Sequence, residues 1–460
     1  MCRQLHRSTR QHRPTQQHRP TQQHRPARPH RPAVTARPAP TGSTRRNALT
    51  RIPPPAPPAP PAAGRLRTLV RVRVGGLPGA FWVLWTGSLV NRLGAMVNPF
   101  LSLYLTQVRD IPLHTVGLIL TVVGTGSVLS QPLGGFLTDR FGRRAALTGG
   151  MLANAASLLA VGHVQSLPAL TAAGFALGVT IDLFRPAAQA LVADAVPAAD
   201  RTRAFGLLLW SVNLGFSAAM VLGGHLATRG FHLLFWVDAA ACAVFGLLVW
   251  FAVPETRPTA TGHHSGSYRT VLSDRVMVAF AGVVVLYAVV FQQAFATLPI
   301  AMARNGLSGD VYGQVMAVNG VVVILVQPLI GHRLGSFDKS RVLATGFLLA
   351  GTGSALLTAA SAAISYGLAV AVWSVGEVLV FAVTAAIVAD LAPPSLRGRY
   401  NGLLGMAWGT GFLIAPLAGT VLLSAGATVL WPSCAALCCV AALAQLALAP
   451  AVRARGADSV

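Results

Sequence analysis

The chain has 460 residues, of which 53% are hydrophobic and only 11% are charged, whereas soluble proteins carry about 25% charged residues. Its formal net charge of +23 is typical of nucleic-acid-binding proteins, but the distribution of that charge argues against this class. Sixteen of the 36 basic residues fall in residues 1–75, and the first acidic residue is Asp110. Apolar runs of about 18 or more residues recur along the rest of the chain. The sequence therefore predicts an all-α polytopic membrane protein that binds no nucleic acid.

Residues 1–79 form a basic N-terminal segment that is rich in His, Arg and Pro. The unit His-Arg-Pro-Thr-Gln-Gln repeats between His6 and His30, and a Pro/Ala run follows. This composition cannot bury a core, so we expect a disordered tail. Three interpretations stay open: the tail binds anionic lipid headgroups, its histidines bind a metal, or it is translated from upstream of the true start.

Twelve hydrophobic spans, each long enough to cross a bilayer, are predicted after the tail. They form two six-helix halves, residues 80–253 and 276–450, which a polar cytoplasmic linker at 254–275 separates. Residues 451–460 are a predicted cytoplasmic C-terminal tail. The predicted spans are 80–104, 114–138, 145–164, 168–191, 204–226, 233–253, 276–299, 311–334, 341–360, 366–389, 401–424 and 430–450.

Basic residues are distributed unevenly between the two sets of loops. The loops after even-numbered spans and the C-terminus hold 15 Lys and Arg residues, whereas the loops after odd-numbered spans hold three, Arg109, Arg229 and Arg304. Positively charged loops stay in the cytoplasm. We therefore expect a multi-pass protein of the cell membrane with both termini in the cytoplasm.

The two halves repeat each other at an offset of 196 residues. Residues 190–208 align without gaps to residues 386–404, with ten of nineteen positions identical. The same offset aligns Gln131–Gly135 with Gln327–Gly331. This pattern predicts two parallel halves related by an axis along the membrane normal.

The loop between spans 2 and 3 carries a dense charge cluster bounded by glycines. Glycine permits a tight turn there, and Asp139 is placed to pair with an arginine or to cap a neighbouring helix. The cluster resembles the loop 2–3 signature of the major facilitator superfamily, G-x-L-x-D-R-x-G-R-[RK], at every specified position. The matching residues are Leu137 and the six candidate coupling residues Gly135, Asp139, Arg140, Gly142, Arg143 and Arg144.

This resemblance covers about residues 80–450 and implies a twelve-helix transporter fold, the major facilitator fold. It also implies a central cavity that opens alternately to each side of the membrane. The charge cluster would then couple the conformations, because Asp139 would hold the two halves together in the outward-open state.

Four charged residues fall within spans, where a charge is costly and usually faces a cavity or a partner. Arg92 lies in span 1, Asp182 and Arg185 lie one helical turn apart in span 4, and Glu377 lies in span 10. We interpret them as candidates for proton and substrate binding. Asp182 has a structural alternative as the partner of Arg185 or Arg92. Glu377 has no basic residue in its own span, and a low-dielectric environment disfavours its charged form.

Small residues in spans 5 and 11 form a second pattern. Gly215, Gly223 and Gly224 resemble the span 5 motif G-x-x-x-G-P-x-x-G-G of the superfamily's antiporter branches, although Ala219 and Met220 replace its second Gly and its Pro. The offset of 196 leads to a related pattern in span 11, with Pro416 and Gly419. The alternative is close helix packing without any role in coupling.

The resemblance favours secondary active transport: export of small amphipathic molecules against proton entry, as in the drug:proton antiporter branch. We expect a monomer in the lipid bilayer, with a small-molecule substrate and protons as partners. No cofactor or metal is expected, since the five cysteines lack metal-ligand spacing, and no catalytic set points to an enzyme. The alternatives are a proton-coupled importer of a sugar or organic acid, and a membrane sensor that transports nothing.

Overall fold

The computed structural model describes residues 76–457 except 198–199, 256–267, 332–336 and 394–395. The predicted N-terminal tail lies outside these residues up to position 75, and most of the predicted linker, 254–275, also lies outside them.

The described residues form the predicted twelve-span helical fold. Span 1 consists of three consecutive pieces, and spans 4 and 7 consist of two each. The first half contains Gly79–Gly94, Val97–Leu103 and Tyr104–Val108 (span 1), Leu113–Phe141 (span 2), Arg143–His163 (span 3), Leu167–Ile181 and Arg185–Ala195 (span 4), Arg201–Arg229 (span 5) and Phe231–Ala252 (span 6). The second half contains Arg275–Ala296 and Leu298–Arg304 (span 7), Gly309–Gly331 (span 8), Lys339–Leu357 (span 9), Ala363–Leu391 (span 10), Arg397–Ala425 (span 11) and Ala427–Ala457 (span 12), with a short helix, Tyr268–Leu272, before span 7.

Three spans, 1, 4 and 7, differ from the continuous helices that the sequence predicted, and span 7 breaks at Thr297. Eleven of the described helices are long and apolar enough to cross a membrane, and span 1 supplies the twelfth crossing in pieces. Its first helix ends at Gly94, and its last piece is a π-helical turn, Tyr104–Val108. Span 4 is interrupted between Ile181 and Arg185. Hydrophobicity indicates only the length of a span. It could not predict the interruptions in spans 1 and 4, because side chains from neighbouring spans stabilise them.

Span 12 also extends past its predicted end. The helix continues to Ala457, into the predicted tail 451–460. Its last turns are attached to the start of span 7, where Arg455 donates hydrogen bonds to Asp274. Tyr400 of span 11 donates a hydrogen bond of 2.7 Å to the same carboxylate. Asp274 thus joins three spans at one end of the second half.

The two ends of the bundle differ in charge. We call the end that carries the loop 139–144, the start of span 7 and the end of span 12 the charged face. The other end, which carries Arg109, Arg229 and Arg304, is the opposite face. These names describe the two ends of the molecule without assigning either to a compartment.

The halves contact each other through two pairs of spans. Span 2 packs on span 11, where a Cβ atom added at Gly124 would lie 2.9 Å from the carbonyl oxygen of Phe412. Span 5 packs on span 8, where a Cβ atom added at Gly224 would lie 2.9 Å from the carbonyl oxygen of Gly309. Small residues permit this close approach of helices, as is usual in membranes.

Among the described residues, several contacts join the halves toward the opposite face. Toward the opposite face, Ser102 of span 1 donates a hydrogen bond of 3.1 Å to the carbonyl oxygen of Phe295 in span 7. Toward the charged face, Cβ atoms added at Gly135 in span 2 or Gly405 in span 11 would meet nothing within 4 Å. In the part of the chain that the structure describes, these two positions thus face open space toward the charged face.

The internal repeat is also visible in the packing. Gly215 of span 5 faces the Cβ atom of Arg92 in span 1, and Gly411 of span 11 faces the Cβ atom of Ala288 in span 7. Both pairs are related by the offset of 196 residues that the sequence shows. Equivalent helices therefore pack in the same way in each half.

Candidate functional site

The predicted pair in span 4 forms, but across an interruption of the helix. The prediction that Asp182 and Arg185 lie one turn apart on a continuous helix is wrong, because three non-helical residues, 182–184, precede the second helix. The Nε atom of Arg185 lies 2.6 Å from Oδ1 of Asp182. The backbone N–H of Asp182 donates to Oγ of Ser130 in span 2, at 3.1 Å. The interruption thus presents an ion pair whose Arg185 side chain is 43% exposed.

Arg92 lies beside this pair on span 1. Its charge interacts with those of Arg185 and Asp182. Gly215 of span 5 leaves room for its Cβ atom, which would otherwise meet a side chain there. Among the described residues, none forms a hydrogen bond or a close ion pair with the Arg92 guanidinium. The first half therefore contributes two arginines and one carboxylate, Asp182, at this depth.

Glu377 occupies the corresponding depth in the second half. Span 10 is continuous there, and the repeat equates Glu377 with Ile181, the last residue before the interruption in span 4. The amide nitrogen of Asn319 in span 8 donates to Oε2 of Glu377 at 2.6 Å and to Oγ of Ser374 at 2.9 Å. No ion pair to Glu377 occurs within the described ranges. Its hydrogen-bond partner is thus an uncharged amide.

An aromatic cluster that sequence reasoning missed begins one turn after Glu377 on span 10. Phe381 follows Glu377 by one turn and stacks on Trp408 of span 11, with 5.2 Å between the ring centroids and 8° between the planes. Phe291 of span 7 lies 5.8 Å from the Phe381 ring and 5.7 Å from Trp408. Phe381 remains 48% exposed. Scattered aromatic residues on three spans carry no sequence signal, because only the fold brings them together.

Chemically, the two walls are complementary. The first half offers two guanidinium groups and a carboxylate, and the second offers a carboxyl group beside flat apolar rings. Aromatic faces bind apolar bodies and cations, and arginines bind anionic groups. The arrangement suits an amphipathic small molecule, with a titratable group at its edge.

The loop 2–3 cluster uses other partners than expected in this conformation. Asp139 is exposed, and none of the residues described by the structure forms a hydrogen bond or an ion pair with it. Gly142 adopts a positive φ of 93°, which favours glycine. Directly after it, the N–H groups of Arg144 and Ala145 donate to the two oxygens of Glu255, each at 3.1 Å. Glu255 thereby satisfies two free amides at the start of span 3.

Two ion pairs at the charged face occupy equivalent positions in the internal repeat. Nε of Arg143 lies 2.9 Å from Oδ2 of Asp194, at the end of span 4. Nζ of Lys339 lies 2.5 Å from Oδ2 of Asp390, at the end of span 10. Both partners are shifted by 196 residues, so the pair occurs once in each half. Arg140, by contrast, lies over the ring of its neighbour Phe141, with 5.7 Å to the centroid.

The small residues of spans 5 and 11 serve close packing. A Cβ atom at Gly223 would lie 2.9 Å from a ring atom of Phe100 in span 1, and Gly419 leaves room for the side-chain amide of Gln293 in span 7. Pro416 lies inside span 11, and the carbonyl oxygen of the preceding Ala415 accepts a 2.9 Å hydrogen bond from Gln293. These contacts support the packing interpretation, while a role in coupling stays a prediction.

One acidic residue in a span escaped the sequence analysis. Asp238 of span 6 is only 5% exposed and accepts a hydrogen bond from the backbone N–H of Val97. It lies near residue 233, the predicted start of its span. At such a position an acidic residue is expected to lie at the membrane–water interface. Its distance from the predicted span centre concealed it.

Comparison with known proteins identifies the family. The Major Facilitator Superfamily model matches residues 84–304 and 281–458. The MFS-type transporter YttB of Bacillus subtilis is 28% identical over 75% of this chain and 89% of its own length. A Na(+), Li(+), K(+)/H(+) antiporter of Planococcus maritimus is 26% identical over 70% of this chain and 84% of its own length. Multidrug resistance protein MdtH of Aeromonas salmonicida is 26% identical over 72% of this chain and 85% of its own length.

Solved structures agree with this fold. A POT family transporter crystallised in complex with 5-aminolevulinic acid superposes with a TM-score of 0.72, at 16% identity, over 82% of this chain and 98% of that one. At this identity the likeness concerns the fold. Together with the family match, it shows that the chain is a multi-pass membrane transporter that belongs to the major facilitator superfamily.

Proposed function

We propose that the protein is a proton-coupled antiporter that exports small amphipathic molecules by alternating access. The observation that carries this proposal is Glu377, a carboxyl group hydrogen-bonded to Asn319 and set beside the exposed ring of Phe381. A site for protons and a surface for apolar molecules thus share one wall. The antiporter and multidrug resistance relatives support the same class.

The charged face is assigned to the cytoplasm on the distribution of basic residues. We take the conformation as inward-open, because Gly135 and Gly405 face open space toward the charged face, whereas Ser102 and Phe295 join the halves toward the opposite face. An exporter loads its substrate from this state. Both termini would lie in the cytoplasm.

The proposed cycle is a competition between substrate and proton. With Glu377 ionised, an amphipathic molecule binds from the cytoplasm between the aromatic rings and the Asp182–Arg185 pair. After reorientation, a proton from outside neutralises Glu377 and weakens the binding of the substrate, which leaves. The protonated protein returns, and the proton is released inside. Each ligand acts only through its different affinity for the two conformations.

In the outward-open state, Asp139 would acquire the partner that it lacks here. Closing the charged face brings span 2 and span 11 together around Gly135, where the present conformation leaves open space. The exposed carboxylate of Asp139 is then positioned against the other half. This contact would stabilise that state and couple the two halves.

A second candidate, proton-coupled import of an organic acid, is favoured by the arginines. Arg92 has no close partner among the described residues, and the Arg185 side chain is 43% exposed. Two guanidinium groups would bind a carboxylate. Import and export differ in the direction in which substrate and proton move, and not in the residues that bind them.

The experiment is transport by purified protein in liposomes. Candidate substrates are first selected by the rise in thermal stability that they cause. Flux of a selected compound is then measured under an imposed pH gradient, while a trapped dye reports the internal pH. The proposal predicts that substrate and protons move in opposite directions. Movement in the same direction would establish the importer instead.

A further inference from the structure

The buried Asp238 of span 6 lies against the interruption in span 1. The first helix of span 1 ends at Gly94 and the next begins at Val97. The backbone N–H of Val97 donates to Oδ2 of Asp238 at 3.2 Å. A buried amide that leaves the helical pattern needs an acceptor from elsewhere. Span 6 supplies it, so the position of the interruption depends on this side chain.

The segment after the interruption is the part of span 1 that closes the opposite face. Phe100 and Ser102 of this segment contact the second half, whereas Gly87, before the interruption, packs on Phe245 of span 6. Ser102 is fully buried and donates to the carbonyl oxygen of Phe295. Phe100 packs edge-on against Tyr312 of span 8, with 5.2 Å between the ring centroids. We call residues 97–103 the closing segment.

A chain of buried polar contacts leads from Asp238 to the interruption in span 4. The thiol of Cys242 lies 3.8 Å from Oδ1 of Asp238, and the amide of Asn154 donates to the Cys242 sulfur at 3.3 Å. Thr180 of span 4 donates to the side-chain oxygen of Asn154 at 3.2 Å. Thr180 precedes Asp182 by two residues. The two interrupted spans of the first half are thus connected through spans 3 and 6.

The second half lacks this arrangement. At the offset of 196 residues, Asp238 and Cys242 correspond to Cys434 and Cys438. Span 12 therefore presents two thiols where span 6 presents a carboxylate and a thiol. The asymmetry indicates that the carboxylate serves the interruption in span 1 and not a packing need common to both halves.

We propose that Asp238 is a positioning residue of the transport cycle, which holds the closing segment of span 1 against the second half through the amide of Val97. It acts by accepting a hydrogen bond, so its role concerns neither substrate contact nor proton coupling. The proposal rests on alternating access, but not on the direction of transport or the identity of the driving ion.

The test compares two substitutions of similar size. Asp238→Asn keeps an oxygen that accepts the Val97 hydrogen bond, whereas Asp238→Leu removes it. Thr148→Val is the matched control, because it removes another buried hydrogen bond between spans 3 and 6, of 3.0 Å to Gly246, without touching span 1. Each is combined with Ser102→Cys, and labelling of that cysteine by a membrane-impermeant maleimide from the opposite face reports opening. Protein without Ser102→Cys gives the background from the native cysteines.

We expect Asp238→Leu to raise the labelling rate at position 102 by about tenfold, the scale of leaving one buried amide without an acceptor. With Asp238→Asn or Thr148→Val, the labelling rate should stay within about twofold of that of the protein carrying Ser102→Cys alone. Asp238→Ala replaces the Leu variant if that variant is not monodisperse. Unchanged labelling in a folded variant without the acceptor would overturn the proposal. So would an Asn variant as open as the Leu variant, or failure of both apolar variants to fold.

These outcomes are separate from those of the transport assay. Labelling at position 102 needs no substrate and no pH gradient. A protein that proved to be an importer would leave the expected labelling pattern unchanged. Conversely, normal labelling in Asp238→Leu would leave antiport intact.

Discussion

The side-chain amide of Asn319 donates a hydrogen bond of 2.6 Å to Glu377, and this contact joins spans 8 and 10 in the second half. Span 8 also packs on span 5 of the first half, where Gly320 meets Ser217. A change in the protonation of Glu377 therefore acts on a helix that touches both halves. This connection offers a physical route from proton binding to the movement of the halves.

Asp139 tests the coupling role of loop 2–3. Because Asp139 has no partner among the described residues in this conformation, Asp139→Asn should leave the present state as stable as before. It should weaken the alternative state, in which the charged face closes, and so lower turnover while substrate affinity stays within a few-fold. Flux and cysteine accessibility at the charged face measure the two effects. Unchanged turnover and accessibility would show that the loop serves only membrane orientation.

Gly135 and Gly124 give opposite predictions on the same span. A Cβ atom at Gly135 meets nothing within 4 Å, whereas one at Gly124 would lie 2.9 Å from the Phe412 carbonyl oxygen. Gly135→Val should therefore be compatible with this conformation and prevent closure of the charged face, which stops turnover. Gly124→Val should instead disfavour this conformation. Labelling at position 102 should fall in the first variant and rise in the second, and equal responses would contradict the assignment of states.

Much of the fold followed from the sequence, because hydrophobic length, loop charge and the 196-residue repeat are local or periodic signals. The interruptions of spans 1 and 4 did not, since Asp238 and Ser130 stabilise them from other spans. The same holds for the site. Glu377 was predicted because it is an isolated charge in an apolar helix. The role of Phe381 could not be predicted, because it depends on stacking against Trp408 of another span.

The ion pair between Arg143 and Asp194 predicts a charge-swap result. The pair is partly buried, with the Arg143 side chain 13% exposed, and it ties the start of span 3 to the end of span 4. Asp194→Arg should lower thermal stability, and adding Arg143→Asp should recover part of the loss. The coupling energy should be about 0.5–3 kcal/mol, as for other residues in direct contact. Strictly additive effects would show that the pair contributes nothing.

Asp274 predicts a pH-dependent contribution to stability. Burial alone would raise the pKa of Asp274, but hydrogen bonds from Arg455 and Tyr400 hold that pKa below its ordinary value. A carboxyl group whose pKa is lower in the folded than in the unfolded protein stabilises the fold at pH values above its unfolded-state pKa. This contribution is lost as the pH falls through its folded-state pKa. Asp274→Asn should therefore lower the melting temperature at pH 7.

Asp274→Asn should lower the free energy of unfolding by about 1–2 kcal/mol. This is less than a fully buried hydrogen bond between charged groups contributes, because the Arg455 side chain is 39% exposed. The difference from the unsubstituted protein should shrink below pH values of about 3.9, the ordinary aspartate pKa. The exposed Asp110 provides the control as Asp110→Asn. A difference that persists unchanged at low pH would contradict the assignment to the ionised carboxylate.

Glu377 carries the central claim. Glu377→Gln is nearly isosteric and keeps an oxygen that accepts the Asn319 hydrogen bond, so the fold should survive. The variant resembles the permanently protonated form, which cannot release a proton on the inner side. Asp182→Asn is the matched control, because it neutralises the carboxylate of the opposite wall.

The decisive measurement is paired flux in liposomes: transport driven by a pH gradient, and exchange of substrate without a gradient. For Glu377→Gln, the account predicts that gradient-driven export fails, while gradient-free exchange continues at a weakened substrate affinity because Asp182 and Arg185 still hold the substrate. Full gradient-driven export by the folded Gln variant would contradict it and exclude Glu377 as the proton carrier.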